Sequence, residues 1–540
     1  MEEDIMKINK IILALSAGML LFASCDEFLD VNPDNRASVD TEEKVIKLLA
    51  SAYSNTDYVL VTELMSDNVD EYTASTYTDR FVEQVYAWQD VTETDNSDPE
   101  NIWSGAYNAI ANANEALAAI EEMGGPTTEA LRQAKAEALI SRAYNHFLLV
   151  NIFAKNYNPK TSATDLGVTY MTKSETTLAP KYERNTVAEV YELIEKDLLE
   201  ALPNIGDLNY SVPKYHFNKK AAYAFAAKFF LFYEKWDEAI KYADLCLGSA
   251  PKSMLRDWKA YNALSQDFEV LTRNYIDDSH KANLLLTTAY SQIGVVFGPY
   301  GYRKRFMHGA YLADREDGNV TQVWGTPGWY SGLHTYQGSG YDFTIFFKLP
   351  YIMEYIDPVA RTGYAHSVLT LFTADETLLI RAEAKALKGD FEGALEDMNI
   401  WLHNISSTKV EVTQDMINSY YGSMAYATWL NSTPKKHLHP AFTIGAEGSD
   451  QENLLQFILH MKRIETLQLG QRWFDVKRYG IEIWRRQMDA TGNPSMQTDV
   501  LTVDDERRAV QIPQKVIDAD YTPNPRKDVT ADSPMLIPND

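Results

Sequence analysis

The amino-acid sequence predicts a mostly α-helical protein, built as a scaffold of helical hairpins with a large loop-rich insertion. Three observations indicate this fold class. Apolar residues recur in steps of three and four through residues 102–122 and 127–154, as they do on one face of an α-helix. Residues 218–247 and 373–402 share a pattern of two helices joined by a tight break. Between those two segments helical periodicity stops, and ten of the 26 glycines lie between residues 294 and 340.

The chain begins with a segment that is typical of an export signal. Its apolar stretch, residues 11–22, is shorter than the roughly 20 residues that span a bilayer as a helix. The following order, Leu21-Phe22-Ala23-Ser24-Cys25, resembles the lipobox of bacterial lipoproteins, in which the cysteine is lipidated. We therefore expect a lipoprotein signal peptide over residues 1–24, lipidation at Cys25 and a tether over residues 25–45. The alternative is an ordinary secretory signal with an incidental cysteine.

Residues 46–250 are predicted to form the N-terminal helical scaffold. The helix over 102–122 ends at a Gly-Gly-Pro sequence, residues 124–126, and Thr127 or Thr128 can cap the helix that follows. Once Cys25 is lipidated, Cys246 has no partner for a disulfide, so we expect it to be a buried thiol.

The two segments with a shared pattern resemble the tetratricopeptide (TPR) unit, an antiparallel helix pair of about 34 residues. In each, an Ala-rich helix is followed by a break, an aromatic residue, an acid and a small residue. The second helix opens with Trp236-Asp237-Glu238-Ala239-Ile240 in one segment and with Phe391-Glu392-Gly393-Ala394-Leu395 in the other. We assign residues 371–402 to the second TPR-like pair. The alternative is a plain helical hairpin.

The remaining segments are less regular. Residues 251–370 are predicted to be long loops with short strands, rich in glycine and aromatic residues, and residues 403–450 a second irregular insertion. Residues 451–540 are assigned to a C-terminal helix block, 451–480, and an extended tail that contains six prolines. In the helix block Arg472, Asp475 and Arg478 are spaced to pair along one helix face.

The charge of the chain narrows the choice of partners. The formal net charge of −26 argues against nucleic acid, because phosphate neutralisation needs a basic face. It also argues against electrostatic docking on anionic lipid, and it favours uncharged or cationic partners. After the signal, no other segment is apolar enough to span a membrane.

Five stretches, taken in order, resemble the SusD/RagB family of surface lipoproteins from glycan-foraging Gram-negative bacteria. These are "CDEFLDVNPD" (25–34), "ELMSDNVDEY" (63–72), "IWSGAYNAIANANEAL" (102–117), "LLIRAEAKALKGDFEGALEDMN" (378–399) and "RIETLQLGQRWFDVKRYG" (463–480). The resemblance extends over most of the mature chain. It implies a TPR-bearing helical scaffold with a loop-rich second face.

The resemblance also implies a function. Family members belong to polysaccharide-utilisation systems, are anchored by lipid to the outer membrane and face the outside of the cell. They bind an oligosaccharide or another nutrient and act as a hinged lid over a SusC-like TonB-dependent transporter. For this chain the resemblance therefore implies nutrient uptake at the cell surface without catalysis.

A glycan binder needs aromatic rings for the apolar face of each sugar and polar side chains for its hydroxyl groups. The predicted hydroxyl partners are Asp67 and Asn68, in the acidic turn, and one aromatic candidate, Trp88, precedes an acidic loop. The other aromatic candidates lie in the glycine-rich segment: Trp324, Trp329, Tyr330, Tyr336 and Tyr341. For each aromatic residue the alternative is packing in the core.

Two other functions remain open at this point. One is an exported carbohydrate-active enzyme, since acidic pairs are abundant, although no nucleophile elbow, P-loop, dinucleotide fingerprint or HExxH helix is present. The other is a periplasmic TPR-type scaffold that binds protein. No cofactor is predicted. His308 and His334 stand alone, and the weak candidate for a calcium site is an acidic run that contains Asp90, Glu93, Asp95, Asp98 and Glu100.

Overall fold

A computed structural model of the chain describes residues 39–72, 79–175, 181–298, 305–331, 334–338, 341–345 and 347–526. The described residues from Glu42 onward belong to one compact unit. Over these residues the protein is mainly helical and carries only small sheets, which confirms the predicted fold class. Within the described part of the chain, every helix is too short or too polar to cross a membrane.

Eighteen α-helices lie in the described residues. In chain order they are α1 (Glu42–Leu49), α2 (Val59–Met65), α3 (Arg80–Tyr86), α4 (Pro99–Glu122), α5 (Glu129–Phe153), α6 (Val187–Ala201), α7 (Lys219–Phe232), α8 (Trp236–Leu247), α9 (Trp258–Asn262), α10 (Phe268–Tyr275), α11 (Ile293–Val296), α12 (Ala310–Arg315), α13 (Ala374–Lys388), α14 (Phe391–Ile405), α15 (Gln414–Ser423), α16 (Asp450–Thr466), α17 (Arg472–Arg478) and α18 (Gln514–Asp518).

Nine strands form three separate sheets in the same residues. They are β1 (Asp70–Tyr72), β2 (Asn283–Tyr290), β3 (Phe306–Met307), β4 (His334–Gly338), β5 (Tyr341–Ile345), β6 (Ile352–Asp357), β7 (Thr362–Thr373), β8 (Ile483–Met488) and β9 (Pro494–Leu501). The strand orders are β3-β1-β8-β9, β2-β7-β6 and β4-β5. Strands β1 and β8 are parallel, and the other neighbours are antiparallel.

Local signals set the ends of the predicted helices. The Thr128 hydroxyl accepts a hydrogen bond from Leu131 N and caps α5, one of the two positions that the sequence allows. The Asp98 carboxylate caps α4 by accepting from Asn101 N at 2.7 Å. After α4 the chain turns through Gly124 and Gly125, whose φ angles of 93° and 90° suit glycine. Helix α5 is then buried along most of its length and forms the centre of the N-terminal core.

The two predicted TPR-like pairs, α7–α8 and α13–α14, are both present. Each pair begins at a capping side chain: Asn218 accepts from Lys220 N and Ala221 N, and Thr373 accepts from Glu376 N. Although 126 residues separate the pairs along the chain, α8 packs directly against α13. The four helices therefore form one continuous stack in space, which the sequence did not predict.

The segment between the pairs is more regular than predicted. It contains strands β2, β6 and β7, of which β7 is 12 residues long, and four short helices, α9 to α12. Both of its ends are fastened to the stack by Asp375, in the first turn of α13. The Asp375 carboxylate accepts from Arg256 N at 3.1 Å and from Trp258 Nε1 at 3.2 Å. Because Asp375 adjoins the end of β7, the exit and re-entry points of this segment lie together.

Three further predictions need refinement. Residues 403–450 contain a helix, α15, and the second pair extends to Ile405. The helix block 451–480 is two helices, α16 and α17, because the backbone turns at Gln468 (φ 64°) and Gly470 (φ 71°). The tail forms β9 and α18 before residue 526, so this part is folded rather than merely extended.

Cys246 is fully buried and has no disulfide partner in the described residues, as the sequence predicts for a structural thiol.

Candidate functional site

The predicted hydroxyl partners Asp67 and Asn68 lie in a buried network of ion pairs. Arg472 Nε and Nη2 donate to the two carboxylate oxygens of Asp67 at 2.7 and 2.8 Å. Asn68 donates to Glu63 Oε1 at 2.8 Å and accepts from Arg463 Nε at 2.7 Å. Burial opposes ionisation of Asp67, but Arg463 and Arg472 hold the pKa of this carboxyl well below its usual range. The network clamps the acidic turn against α16 and α17.

The same network corrects the predicted ion-pair stripe on the last helix. Arg478 does pair with Asp475, at 3.3 Å, but Arg472 binds Asp67 instead. Asp475 also accepts from Lys462 at 2.8 Å. His308 belongs to this region as well, since its Nε2 lies 2.8 Å from Asp317 Oδ2 and its Nδ1 lies 2.7 Å from Asn68 O.

Trp88 is buried, with 3% of its surface exposed. The Arg485 guanidinium lies 4.0 Å from its ring centroid, and its Nε1 donates to Met65 O at 2.9 Å. Its backbone adopts a φ of 52°, which is uncommon for a residue with a side chain. Trp88 is among the residues that line a cleft of about 350 Å³ between the acidic loop and residues 507–526.

The glycine-rich loop places Trp324, Trp329 and Tyr330 over the end of α14. Trp324 is buried, whereas Trp329 and Tyr330 are half-buried. Trp329 Nε1 donates to Gly318 O at 2.7 Å, and its ring lies 5.4 Å from Trp324 and 6.2 Å from Trp401. This is the arrangement that the core-packing alternative requires, so a role in ligand binding stays a prediction for the loop.

For the other predicted site residues the structure gives less information. The register of the β4–β5 hairpin sets Tyr336 opposite Phe343 and Gly338 opposite Tyr341. Cys25 lies outside the described residues. Four acids of the candidate calcium site have other partners: Asp90 pairs with Arg526, Glu93 with Arg80, Glu100 with Lys515, and Asp98 caps α4. Within the described ranges, no three acidic, histidine or cysteine residues are grouped to hold a metal ion.

A set of exposed aromatic residues that the sequence did not single out lies on the sheet β2-β7-β6. Tyr364 leaves 49% of its surface exposed. Its ring meets the Tyr290 ring edge-on at 5.6 Å, and Tyr290 lies 4.4 Å from the His366 ring. His366 Nε2 lies 2.7 Å from Glu354 Oε2, and the Glu354 side chain is 65% exposed. We call Tyr290, Tyr364, His366 and Glu354 the tyrosine face.

Strand pairing explains why these four residues share one face. Glu354 pairs with Tyr364, Ile352 with His366, and His366 with Tyr290, so their side chains point to the same side of the sheet. At Gly363 a Cβ atom would collide with the carbonyl oxygen of Glu354, so the strands approach this closely only with glycine there. The sequence signal is the alternation of aromatic residues around a turn, in "YIMEYIDPVARTGYAH" (351–366).

The tyrosine face combines the two chemistries that a sugar requires. A half-exposed phenol ring offers flat apolar area, and its orientation is fixed by neighbouring rings on a hydrogen-bonded sheet. Glu354 offers charged acceptor oxygens beside that ring, and hydrogen bonds to a carboxylate are stronger than neutral ones. This surface can stack on one sugar ring and accept hydrogen bonds from its hydroxyl groups.

Comparison with known proteins agrees with this fold. Residues 27–231 match the SusD-like_3 family model, described as "Starch-binding associating with outer membrane". A SusD superfamily protein from Bacteroides thetaiotaomicron superposes with a TM-score of 0.60 at 18% identity, over 90% of this chain and 98% of that one. The fold of the chain is therefore SusD-like.

Two proteins from Bacteroides vulgatus extend this SusD-like assignment. A SusD superfamily protein superposes with a TM-score of 0.63 at 18% identity, covering 90% of this chain and 98% of its own. A SusD-like carbohydrate-binding protein superposes with a TM-score of 0.60 at 16% identity, covering 91% and 98%. No curated protein matches the chain by sequence. The predicted resemblance to the SusD/RagB family is thus confirmed, and at these identities the solved structures establish the fold alone.

Proposed function

We propose that this SusD-like protein binds an oligosaccharide at the cell surface and passes it to a TonB-dependent outer-membrane transporter. The observation that carries the proposal is the tyrosine face, where the exposed ring of Tyr364 stands beside Glu354 on a rigid sheet. The match to a family model described as starch-binding supports the class of ligand. An uncharged oligosaccharide is also compatible with a protein of net charge −26.

Calorimetric titration with soluble oligosaccharides tests the proposal. Maltooligosaccharides come first, because of the family description, followed by β-linked glucans and mannans. We expect Tyr364→Ala to raise Kd at least tenfold, about 1.4 kcal/mol, because stacking area is lost. The matched control is Tyr355→Ala: Tyr355 is also 49% exposed and lies on the same hairpin, but it points to the opposite side of the sheet.

Three results would count against the tyrosine face. Equal affinity in Tyr364→Ala and the parent protein would remove this surface from the site. Equal weakening by Tyr355→Ala and Tyr364→Ala would indicate a general effect on the hairpin. If only Trp324→Ala or Trp329→Ala weakened binding, the site would lie in the glycine-rich loop, as the sequence predicts.

Anchoring and location follow from the proposed lipidation of Cys25. We expect mass spectrometry of the protein from its native host to detect acyl chains at Cys25, and intact cells to expose the protein to an impermeant label. Protection until the outer membrane is broken would favour a periplasmic scaffold. The proposed transporter should co-purify with the detergent-solubilised protein.

Binding without catalysis distinguishes this proposal from an exported carbohydrate-active enzyme. Incubation of the mature protein with each oligosaccharide that it binds should leave the chain length of that oligosaccharide unchanged by chromatography. Cleavage at enzyme-like rates would overturn this part of the proposal while leaving the binding surface in place.

A further inference from the structure

The outer face of α14 borders a cavity of about 710 Å³ that the glycan proposal does not use. Its volume lies within the roughly 300–1,000 Å³ range of ligand-binding clefts. Lys252 forms one side, and the segment around Glu411 and Gln414 forms the other. We call this cavity the α14 groove. The residues of α14 that line it are Phe391, Glu392, Leu395, Glu396, Asn399, Ile400 and His403.

The floor of the α14 groove is apolar and firmly built. Phe391, Leu395 and Ile400 are half-buried and pack on the hydrophobic core. Asn399 fixes the far wall, because its side chain donates to Val412 O at 3.0 Å and accepts from Val412 N at 2.8 Å. From Phe391 to His403 the helix rises about 18 Å, enough to accommodate about three turns of a partner helix.

The rim of the groove is acidic. Glu392, Glu396 and Glu411 are exposed, and Lys252 is the one cation among the lining residues of this described region. Glu411 lies 3.6 Å from His403 Nδ1. An apolar floor with a carboxylate rim complements a peptide that presents an apolar face flanked by lysine or arginine.

The first TPR-like pair offers an internal comparison. At the corresponding positions of α8, Lys241 stands where α14 has Glu396, and Asp237 stands where α14 has Glu392. Asp237 is paired with Lys388, and Lys241 is paired with Glu238. The first pair therefore has the same scaffold without the acidic rim, so the rim is a local property of α14 rather than a consequence of the fold.

We infer that the α14 groove binds a basic amphipathic peptide segment of a protein partner. Leucine-like side chains of the segment would fill the floor over Leu395 and Ile400, and its cations would face Glu392, Glu396 and Glu411. This site is separate from the tyrosine face and does not depend on glycan binding.

The test uses fluorescence anisotropy with the full-length mature protein and a labelled 12-residue peptide of leucine and lysine, arranged to be amphipathic as a helix. We expect saturable binding whose Kd rises at least tenfold between about 0.05 and about 0.5 M NaCl, because the rim charges are exposed. Glu396→Lys and Glu411→Lys should each raise Kd at least tenfold. Glu122→Lys, which makes the same charge change at an exposed site on α4, is the control and should change Kd less than twofold.

Other outcomes would overturn the inference. Equal weakening by Glu122→Lys would indicate binding to the overall negative charge. Equal binding of a scrambled peptide of the same composition would show that the apolar floor is not used. A dimer that dissociates in Glu396→Lys during sedimentation would assign the groove to a second copy of this chain. Binding that is unchanged in both groove variants would place the peptide elsewhere.

Discussion

The two TPR-like pairs, α7–α8 and α13–α14, have one backbone plan but hold their helices together differently. Trp236 corresponds to Phe391, and the capping residues Asn218 and Thr373 also correspond. The first pair is apolar at its centre, with Ala226 and Cys246 fully buried. At the corresponding positions the second pair has Arg381 and Trp401. At these two positions the first pair therefore has small buried side chains, whereas the second pair has a buried arginine and a buried tryptophan.

The polar centre of the second pair also connects it to the first. Arg381 donates to both carboxylate oxygens of Asp397 on α14, at 2.9 and 2.6 Å, and to Asp244 on α8 at 2.7 Å. One side chain on α13 therefore contacts two other helices, α8 and α14. The comparison teaches that the stack is joined by a buried charge that the sequence pattern of each pair does not reveal.

The largest effect is expected from Arg381→Met, which gives the second pair an apolar centre like that of the first. Asp397 is buried and would lose its bidentate partner, keeping only Lys385 at 2.8 Å. We expect the free energy of unfolding to fall by about 3–5 kcal/mol, measured in urea by circular dichroism. Asp244→Asn, which removes a 55% exposed partner, should cost less than about 1 kcal/mol. Similar losses in both variants would contradict this account.

A smaller loss is expected from Trp329→Ala, because the loop over the end of α14 has no counterpart on α8. Trp329 is half-buried and contacts Trp324 and Trp401. We expect the free energy of unfolding to fall by about 2–3 kcal/mol, somewhat less than for a fully buried tryptophan. The same variant separates the two interpretations of this loop. Unchanged stability with at least tenfold weaker glycan binding would show a ligand platform instead of core packing.

A pH-dependent difference in the free energy of unfolding is expected from Glu465→Gln, since Glu465 contacts Trp401. Burial raises the pKa of Glu465 to about 8, and Trp401 Nε1 donates to its carboxyl at 2.9 Å. The folded protein then holds a proton that an unfolded Glu, with a pKa of about 4.3, releases. This group's contribution to stability therefore declines as pH rises from about 5 to about 8. In the first pair, Cys246 stands at the position that corresponds to Trp401. Its thiol stays neutral over this pH range because burial raises its pKa to about 12.

Glutamine keeps an acceptor for Trp401 but does not ionise. Relative to the parent protein, Glu465→Gln should gain stability progressively as pH rises from about 5 to about 8. Urea unfolding at several pH values measures this difference. Parallel pH profiles for the two proteins would show that Glu465 does not titrate in this range.

The smallest change in stability is expected at the residue that joins the two helices of each pair. Gly389 ends α13 with a φ of 89°, whereas the corresponding Glu234 adopts a φ of 60° despite its side chain. Glu234→Gly should stabilise the protein by up to about 1 kcal/mol, since relief of backbone strain exceeds the added entropy of the unfolded chain. The reciprocal Gly389→Glu should destabilise it by about 1–2 kcal/mol. Thermal unfolding of both variants measures the asymmetry, and the same sign for both would contradict it.

The sequence predicts those features that local physics decides. Helix periodicity and the break, aromatic residue, acid and small residue inside each pair act within a few residues, so the sequence predicts both TPR-like pairs. The resemblance to the SusD/RagB family depends on motifs that are equally local. The adjacency of the two pairs was not predicted, because it depends on how the chain between them folds.

The candidate site was harder to predict because contacts that are distant in sequence decide exposure. By residue type Asp67 and Asn68 are predicted hydroxyl partners, but in the structure they bind Arg472 and Arg463, which lie about 400 residues later in the sequence. The sequence does not single out Tyr364, because the face of the sheet on which Tyr364 lies depends on its pairing with Glu354. Residue type alone predicts which side chains suit a sugar, but strand pairing and ion pairs determine which rings reach solvent.

The contacts of Asp375 have a consequence for how this protein can diversify. A single carboxylate gathers both ends of the segment between the pairs, so its exit and re-entry points are held together at the helical stack. We expect surface loops of that segment to tolerate changes in length while this junction stays intact, whereas its buried strand β2 is part of the core. Chimaeras cut at this junction would measure how far the segment folds independently of the helical stack.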